Sequence, residues 1–204
     1  MQKLPDKYQN KYRIPSTRLR SWDYGWNASY FVTICTKAHE CYFGEIFDGS
    51  IHLSKIGIIV KKYWLEIPQH FSFVKIDAFV IMPNHIHGII VINKENDGRS
   101  NVMPSKETQN IVPSKETQNI ASLRTISQPH QSTKNKFSPQ SQNLGSIVRG
   151  FKIGVTKNAR NVNSDFTWQT RYHDHIIRDE KDYIRILNYI ENNSQSWIDD
   201  KFYN

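Results

Sequence analysis

Ile81-Met82-Pro83-Asn84-His85-Ile86-His87-Gly88-Ile89-Ile90 is the stretch on which the reading of this chain turns. Two histidines flank one isoleucine inside a run that otherwise reads as buried strand. On a strand successive side chains point to opposite faces, so His85 and His87 share a face while Ile86 leaves it. Two imidazoles side by side on a rigid strand are the beginning of a divalent-metal site. Histidines that merely sit in a half-polar core are the plainer alternative. Pro83-Asn84 is a turn signal, fitting a tight turn or a bulge that re-aims the pair. Residues 74–82 and 85–92 therefore read as neighbouring strands of an antiparallel sheet.

Toward the N-terminus, Tyr30-Phe31-Val32-Thr33-Ile34-Cys35-Thr36 is rich in β-branched and aromatic residues and reads as a further strand. Short strands follow at residues 42–47 and 51–53, with Asp48-Gly49 as the turn between them. Ser54 is placed to cap a helix carrying Ile58, Ile59, Tyr63 and Trp64 at helical spacing, closed by Pro68. Residues 1–28 form a basic, aromatic arm in which Arg18, Arg20, Trp22 and Tyr24 mix cations with rings. That mixture suits single-stranded bases and phosphates, and it equally suits an ordinary irregular arm.

Residues 94–142 break the pattern. They are rich in Ser, Thr, Asn, Gln, Lys and Pro, and Pro104-Ser105-Lys106-Glu107-Thr108-Gln109-Asn110-Ile111-Val112 recurs almost unchanged from Pro113. One polar repeat cannot bury a face, so the stretch reads as a disordered low-complexity insertion with nothing catalytic in it. It splits one domain into residues 29–93 and 143–204. In the second part, Leu144, Ile147, Val148, Phe151 and Val155 make an apolar helical stripe. Arg149, Lys152, Lys157 and Arg160 lie elsewhere around that helix, as a solvated face or as phosphate contacts. Residues 166–177 read as extended or irregular. Asp179 is placed to cap a last helix from Glu180 to about Asn193, with Tyr183, Ile186, Leu187 and Ile190 as its core stripe. Arg185, Tyr189 and Asn193 stand on a neighbouring stripe, four residues apart. Boundary packing for Tyr189 and helix capping for Asn193 are the plain readings of that helix taken alone.

With 204 residues the chain has length for one domain and room for an insertion. A net charge of +8 points to a polyanionic partner, most often nucleic acid. Cys35 and Cys41 are too few for a disulfide framework, which fits a reduced compartment. The first fifteen residues lack the apolar core of a signal peptide, and no apolar run approaches membrane-spanning length. A cytoplasmic protein with no membrane partner is expected.

The chain resembles the REP-associated tyrosine transposases, relatives of the single-tyrosine transposases in the HUH endonuclease superfamily. The likeness runs through Arg18-Leu19-Arg20, Asp23-Tyr24, the strand at 30–36 and Met82-Pro83-Asn84-His85-Ile86-His87-Gly88. It resumes at Trp168-Gln169, Tyr172-His173-Asp174-His175-Ile176-Ile177-Arg178 and Tyr189-Ile190-Glu191-Asn192-Asn193, and leaves the insertion out. The family more often has tyrosine where this chain has His173, and proline where it has Ser194.

The resemblance implies an α+β fold: a mainly antiparallel sheet, ferredoxin-like in the HUH manner, with helices packed on one face. It implies that His85 and His87, with Asn193 as third ligand, hold Mg²⁺ or Mn²⁺ at a scissile phosphate. Tyr189 then matches the nucleophile that attacks phosphorus and leaves the DNA 5′ end as a phosphotyrosine. The implied activity is cleavage and rejoining of single-stranded or hairpin DNA. His175, Arg178 and Arg185, with Arg18, Arg20, Trp22, Tyr24, Arg149, Lys152 and Lys157, are the residues expected to contact that DNA. Monomer and homodimer, the latter with tyrosines acting in trans, both stay open. A DNA-binding protein with a decayed site and a phosphodiesterase using water are the competing classes.

Overall fold

Alternation along two central strands organises the molecule. The computed structural model describes residues 7–8, 11–12, 18–19, 21–94 and 142–203. Strand β1 (Ala28–Cys35) pairs antiparallel with the histidine strand over its full length, from Ala28 opposite Ile92 to Cys35 opposite His85. A two-residue hairpin (Gly44–Phe47 as β2, Ser50–Leu53 as β3) turns through Asp48 and Gly49, both at positive φ. That is the conformation a tight hairpin asks for, and Asp and Gly tolerate it. Helix α1 (Lys55–Leu65) starts where Ser54 accepts a hydrogen bond from the Gly57 amide. Pro68 does not itself end α1, which stops at Leu65; it sits in the first turn of a short helix, Ile67–His70.

Strands β4 (Val74–Ile81) and β5 (His85–Ile92) form the expected antiparallel pair. Met82 N–H donates to the His85 carbonyl across a tight turn, and the bulge lies instead between Ile76 and Phe79. Helix α2 (Leu144–Ala159) is capped by Asn143 and Ser146, each side chain bonding the other's backbone N–H. Residues 173–177, expected to be extended or irregular, form strand β6 (His173–Ile177) on the free side of β1. Helix α3 (Glu180–Asn192) begins at Asp179, whose carboxylate accepts from the Asp182 amide. The main sheet is thus antiparallel throughout, in the order β4-β5-β1-β6.

Tyr30, Val32 and Ile34 of β1 and Ile86, Ile90 and Ile92 of β5 meet Val60 and Trp64 of α1 and Ile147, Phe151 and Val155 of α2. At six such side chains or more, each burial contributing about 1.5–3 kcal/mol, this face holds most of the core. The opposite face is covered by α3, whose Tyr183, Ile186 and Ile190 pack on Ile89, Val91 and Ile177. The α+β class and antiparallel sheet are as expected, but helices cover both faces rather than one. The reason is the chain direction: β6 is an edge strand, and the turn at Asp179 returns α3 across the face that α1 and α2 leave open. The Tyr183 hydroxyl donates to Asp77 at 2.8 Å and ties α3 to the far strand β4.

Ile58, expected in the core stripe of α1, is exposed; Ile56, Gly57, Val60 and Trp64 are the buried positions. Ile56, Val60 and Trp64 stand four residues apart on one side of α1, which leaves Ile58 on the opposite side. Arg20 and nearly all of the expected insertion, residues 95–141, lie outside the described residues.

Candidate metal and tyrosine site

At one end of the α3 face the hydrocarbon gives way to imidazole. His85 and His87 are fully buried on β5, and their Nε2 atoms stand 2.9 Å apart. Each ring is held from behind. His85 Nδ1 donates to Asn84 Oδ1 at 2.8 Å, and His87 Nδ1 lies 2.8 Å from the Thr33 hydroxyl of β1. The Asn84 amide cannot be turned the other way, because its Nδ2 already donates to the carbonyls of His39 and Phe202. His85 therefore carries its proton on Nδ1 and presents a bare Nε2 lone pair to His87. Burial lowers the pKa of both rings, and for His85 the neighbouring His87 lowers it further. Two neutral imidazoles converging at this distance leave a gap that one proton or one cation fills. Two unprotonated imidazole nitrogens on one side of a cleft are a donor pair that could hold a divalent cation.

Tyr189 comes from α3 and places its hydroxyl 3.0 Å from His87 Nε2, with its ring against His87 and Phe31. Tyr189 is 40% exposed and lines an open cleft, so the residue is reachable from solvent. Burial and the Asp200 carboxylate raise its pKa, while a hydrogen bond from the Asn193 amide pulls the other way. Asn193, at the C-terminal cap of α3, is buried at 3% exposure. His85, His87 and Asp200 form a group whose ligand atoms all lie within 4.8 Å of one another. That cluster has the composition of a divalent-metal site.

A cleft of about 530 Å³ opens over this group, lined among others by Thr33, His173, His175, Arg185, Asn193 and Lys201. His175 is tied to Asp182 at 2.7 Å, and Arg185 pairs with the other oxygen of Asp182, so both stand on the rim. Arg178 is exposed just before α3. A second cleft of about 610 Å³ shares no lining residue with the first and is bordered by Arg18, Arg149, Lys152, Lys157 and Tyr172. Within it Arg149 and Lys157 are exposed. The Lys152 ammonium is engaged by the carbonyls of Gln169 and Arg171, and Arg18 by Asp174 and Tyr172. Trp22 and Tyr24, expected as stacking surfaces, pack against the α1–α2 core, and the Trp22 indole donates to Tyr30.

Sequence reasoning missed Asp200 and Thr33. Asp200 follows a short helical turn, Trp197–Asp199, that returns toward β5, and no periodicity marks it. Thr33 looked like any strand residue; only the register, with Thr33 opposite His87, reveals it. Asn84 was visible in the motif but read only as a turn residue.

A Haemophilus influenzae protein described as uncharacterized is 41% identical over 189 residues, covering 92% of each chain. This chain belongs to the family of that protein. No protein-family model matches the chain. Among solved structures, that of a REP-associated tyrosine transposase bound to a REP hairpin aligns with a TM-score of 0.50 at 16% identity. The alignment covers 90% of this chain and 74% of the other, and it shows a shared fold. Among the described residues no helix is long and apolar enough to cross a membrane.

Proposed function

We propose that this protein is a transposase-like strand transferase that cuts and rejoins single-stranded or hairpin DNA through Tyr189. The carrying observation is the placement of an accessible phenol 3.0 Å from one of two buried, converging imidazoles. That hydrogen bond also serves packing, but a phenol open to the cleft beside a phosphate-activating centre is the arrangement a tyrosine nucleophile requires. In the cut, the Tyr189 oxygen forms a bond to phosphorus and the bond to the DNA 3′ oxygen breaks. The phenolic proton is lost and the 3′ oxygen gains one, leaving a free 3′-hydroxyl and a 5′-phosphotyrosine. The phosphoester retains the energy of the broken bond, so rejoining needs no nucleoside triphosphate.

His85 and His87 are the residues that hold Mg²⁺ or Mn²⁺ in this reading, and the ion, when bound, supplies Lewis-acid stabilisation of charge on the phosphate. Thr33 and Asn84 keep the imidazoles pointed at each other. The Asn193 amide favours the phenolate against the burial that opposes it. In this reading Arg185 and His175, which line the cleft, meet an entering DNA strand, and Arg178, exposed just before α3, meets it farther out. The net charge of +8, with Arg149 and Lys157 in the second cleft, supports a grip on the phosphate backbone away from the cut. Residues 29–93 and 143–204 act as the catalytic domain, with residues 1–28 as an arm and 94–142 as an insertion.

The test is a denaturing gel of the protein with labelled single-stranded hairpin DNA and Mn²⁺, comparing wild type with Tyr189→Phe. A covalent band that needs both the metal and Tyr189 is expected, with cleavage falling by about 10³-fold or more in the variant. Cleavage without a covalent band in either protein makes water the nucleophile. Hairpin binding without cleavage makes this a DNA-binding protein with a decayed site.

A further inference from the structure

Two side chains compete for the place beside the histidine pair, and their chemistry separates them. Asn193 stands one turn after Tyr189, the place where the resemblance puts an amide ligand. Its Nδ2 lies 3.5 Å from Asp200 Oδ2, and only a donor is favourable against a carboxylate oxygen. Asn193 therefore turns its N–H end toward Asp200, and that end has no lone pair to give a cation. Its Oδ1 is buried with no hydrogen-bond partner. Asp200, by contrast, offers a carboxylate oxygen within 4.8 Å of both histidine ligand atoms.

Asp200 is also held in place by its own loop. Its Oδ1 accepts from the Phe202 amide at 2.8 Å, and its backbone N–H donates to the Trp197 carbonyl. The Phe202 carbonyl in turn accepts from Asn84, the residue that orients His85. The turn at 197–203 and the turn at Pro83-Asn84 are thus built as one unit around the histidines.

Resting on the metal-dependent reading above, we infer that Asp200 is the third protein ligand and that Asn193 is a positioning residue that holds Asp200 and Tyr189. The set becomes two imidazoles and one carboxylate, which leaves open positions for phosphate and suits Mn²⁺. The carboxylate cancels one of the ion's two charges, so it strengthens resting metal binding in a site that two neutral imidazoles and an amide would hold weakly.

Mn²⁺ uptake by the full-length protein without DNA tests this, read from the loss of the free-ion electron paramagnetic resonance signal. Wild type, His85→Ala, Asp200→Asn, Asp200→Glu and Asn193→Ala are compared, each with its metal-free melting temperature. Expected is a loss of affinity of tenfold or more for Asp200→Asn, as for His85→Ala, with partial recovery in Asp200→Glu. Asn193→Ala loses less than Asp200→Asn, and the metal-free melting temperature of Asp200→Asn matches wild type. Unchanged uptake by Asp200→Asn overturns the inference, and a tenfold loss in Asn193→Ala alongside it returns the ligand role to the amide. A wild type that takes up no Mn²⁺ instead removes the metal-dependent reading itself, a result separable from the ligand assignment because His85→Ala then changes nothing.

Discussion

The two faces of strand β5 share one backbone and have opposite characters. The face toward α1 and α2 carries Ile86, Ile90 and Ile92 and is hydrocarbon from end to end. The face toward α3 carries Val91 and Ile89 and then changes to His87 and His85, still without exposure to water. Burial is equal; what differs is what each buried group needs. Isoleucine needs only contact, whereas each imidazole needs a partner for both nitrogens. Asn84 and Thr33 supply one partner per ring, and the two Nε2 atoms are left to each other and to Tyr189. One face is built for stability, and the other ends in groups whose remaining capacity points into a cleft.

The largest effect belongs to the hydrocarbon face. Gly88 sits between His87 and Ile89, and a Cβ built there meets Trp64 Cζ2 at 2.4 Å. The missing Cβ of Gly88 is what allows the indole to approach the strand this closely. Trp64→Ala removes that filling and is expected to lower stability by about 3–5 kcal/mol. Gly88→Ala is expected to lower it by about 1–3 kcal/mol through overpacking. Urea unfolding followed by circular dichroism reads both. A Gly88→Ala protein as stable as wild type breaks the claim that this face is close-packed.

The histidine end is expected to respond to pH where the hydrocarbon face does not. Both rings have folded pKa values below the ordinary value near 6.5, so the unfolded chain binds protons that the folded chain refuses. Stability is therefore full above about pH 6.5 and falls as the pH drops below it, by up to about 1.4 kcal/mol per ring per pH unit. Thermal melts at pH 7.5 and pH 5 without metal measure the slope. Replacing His85 by Gln flattens it, and a slope that survives loss of both histidines assigns it to other groups.

Thr33→Val keeps the shape of β1 and removes the hydroxyl beside His87. With that ring no longer fixed, Mn²⁺ affinity is expected to fall about 10–100-fold, or about 1.4–2.7 kcal/mol. The melting temperature should change little by comparison. An unchanged affinity means that packing against Phe31 and Tyr189 alone orients the ring.

These differences mark what was legible in the amino-acid order. Period-two and period-3.6 patterns located β1, β4, β5 and the three helices, because amphipathic burial leaves its period in the sequence. The cap residues Ser54 and Asp179 were readable for the same local reason. The paired histidines stood out as two polar rings in a buried strand pattern, whereas Tyr189 was marked only by the resemblance, its helix taken alone reading as boundary packing. Strand β6 was not, since its five residues mix His, Asp and Ile at an edge, where one side of the ladder is open. Asp200 and Thr33 were not, because their meaning lies in register and chain return, which no local period encodes. Helices on both faces follow from the same return.

The smallest effect separates the two clefts. Arg149 and Lys157 are exposed on α2, far in sequence from the histidines, whereas Lys152 on the same helix is tied to backbone carbonyls. If the second cleft grips phosphates, Arg149→Ala and Lys157→Ala each lower the slope of log affinity against log salt by about one, with a modest loss of hairpin affinity. Lys152→Ala should act mainly on stability, because its ammonium anchors the residue 169–171 segment rather than facing solvent. Cleavage of already bound DNA should be unchanged in the first two variants, since neither touches the Tyr189 cleft. A salt slope unaffected by both makes the cations of α2 a solvated face, and it moves the grip on DNA to the Arg185 and Arg178 side of the sheet.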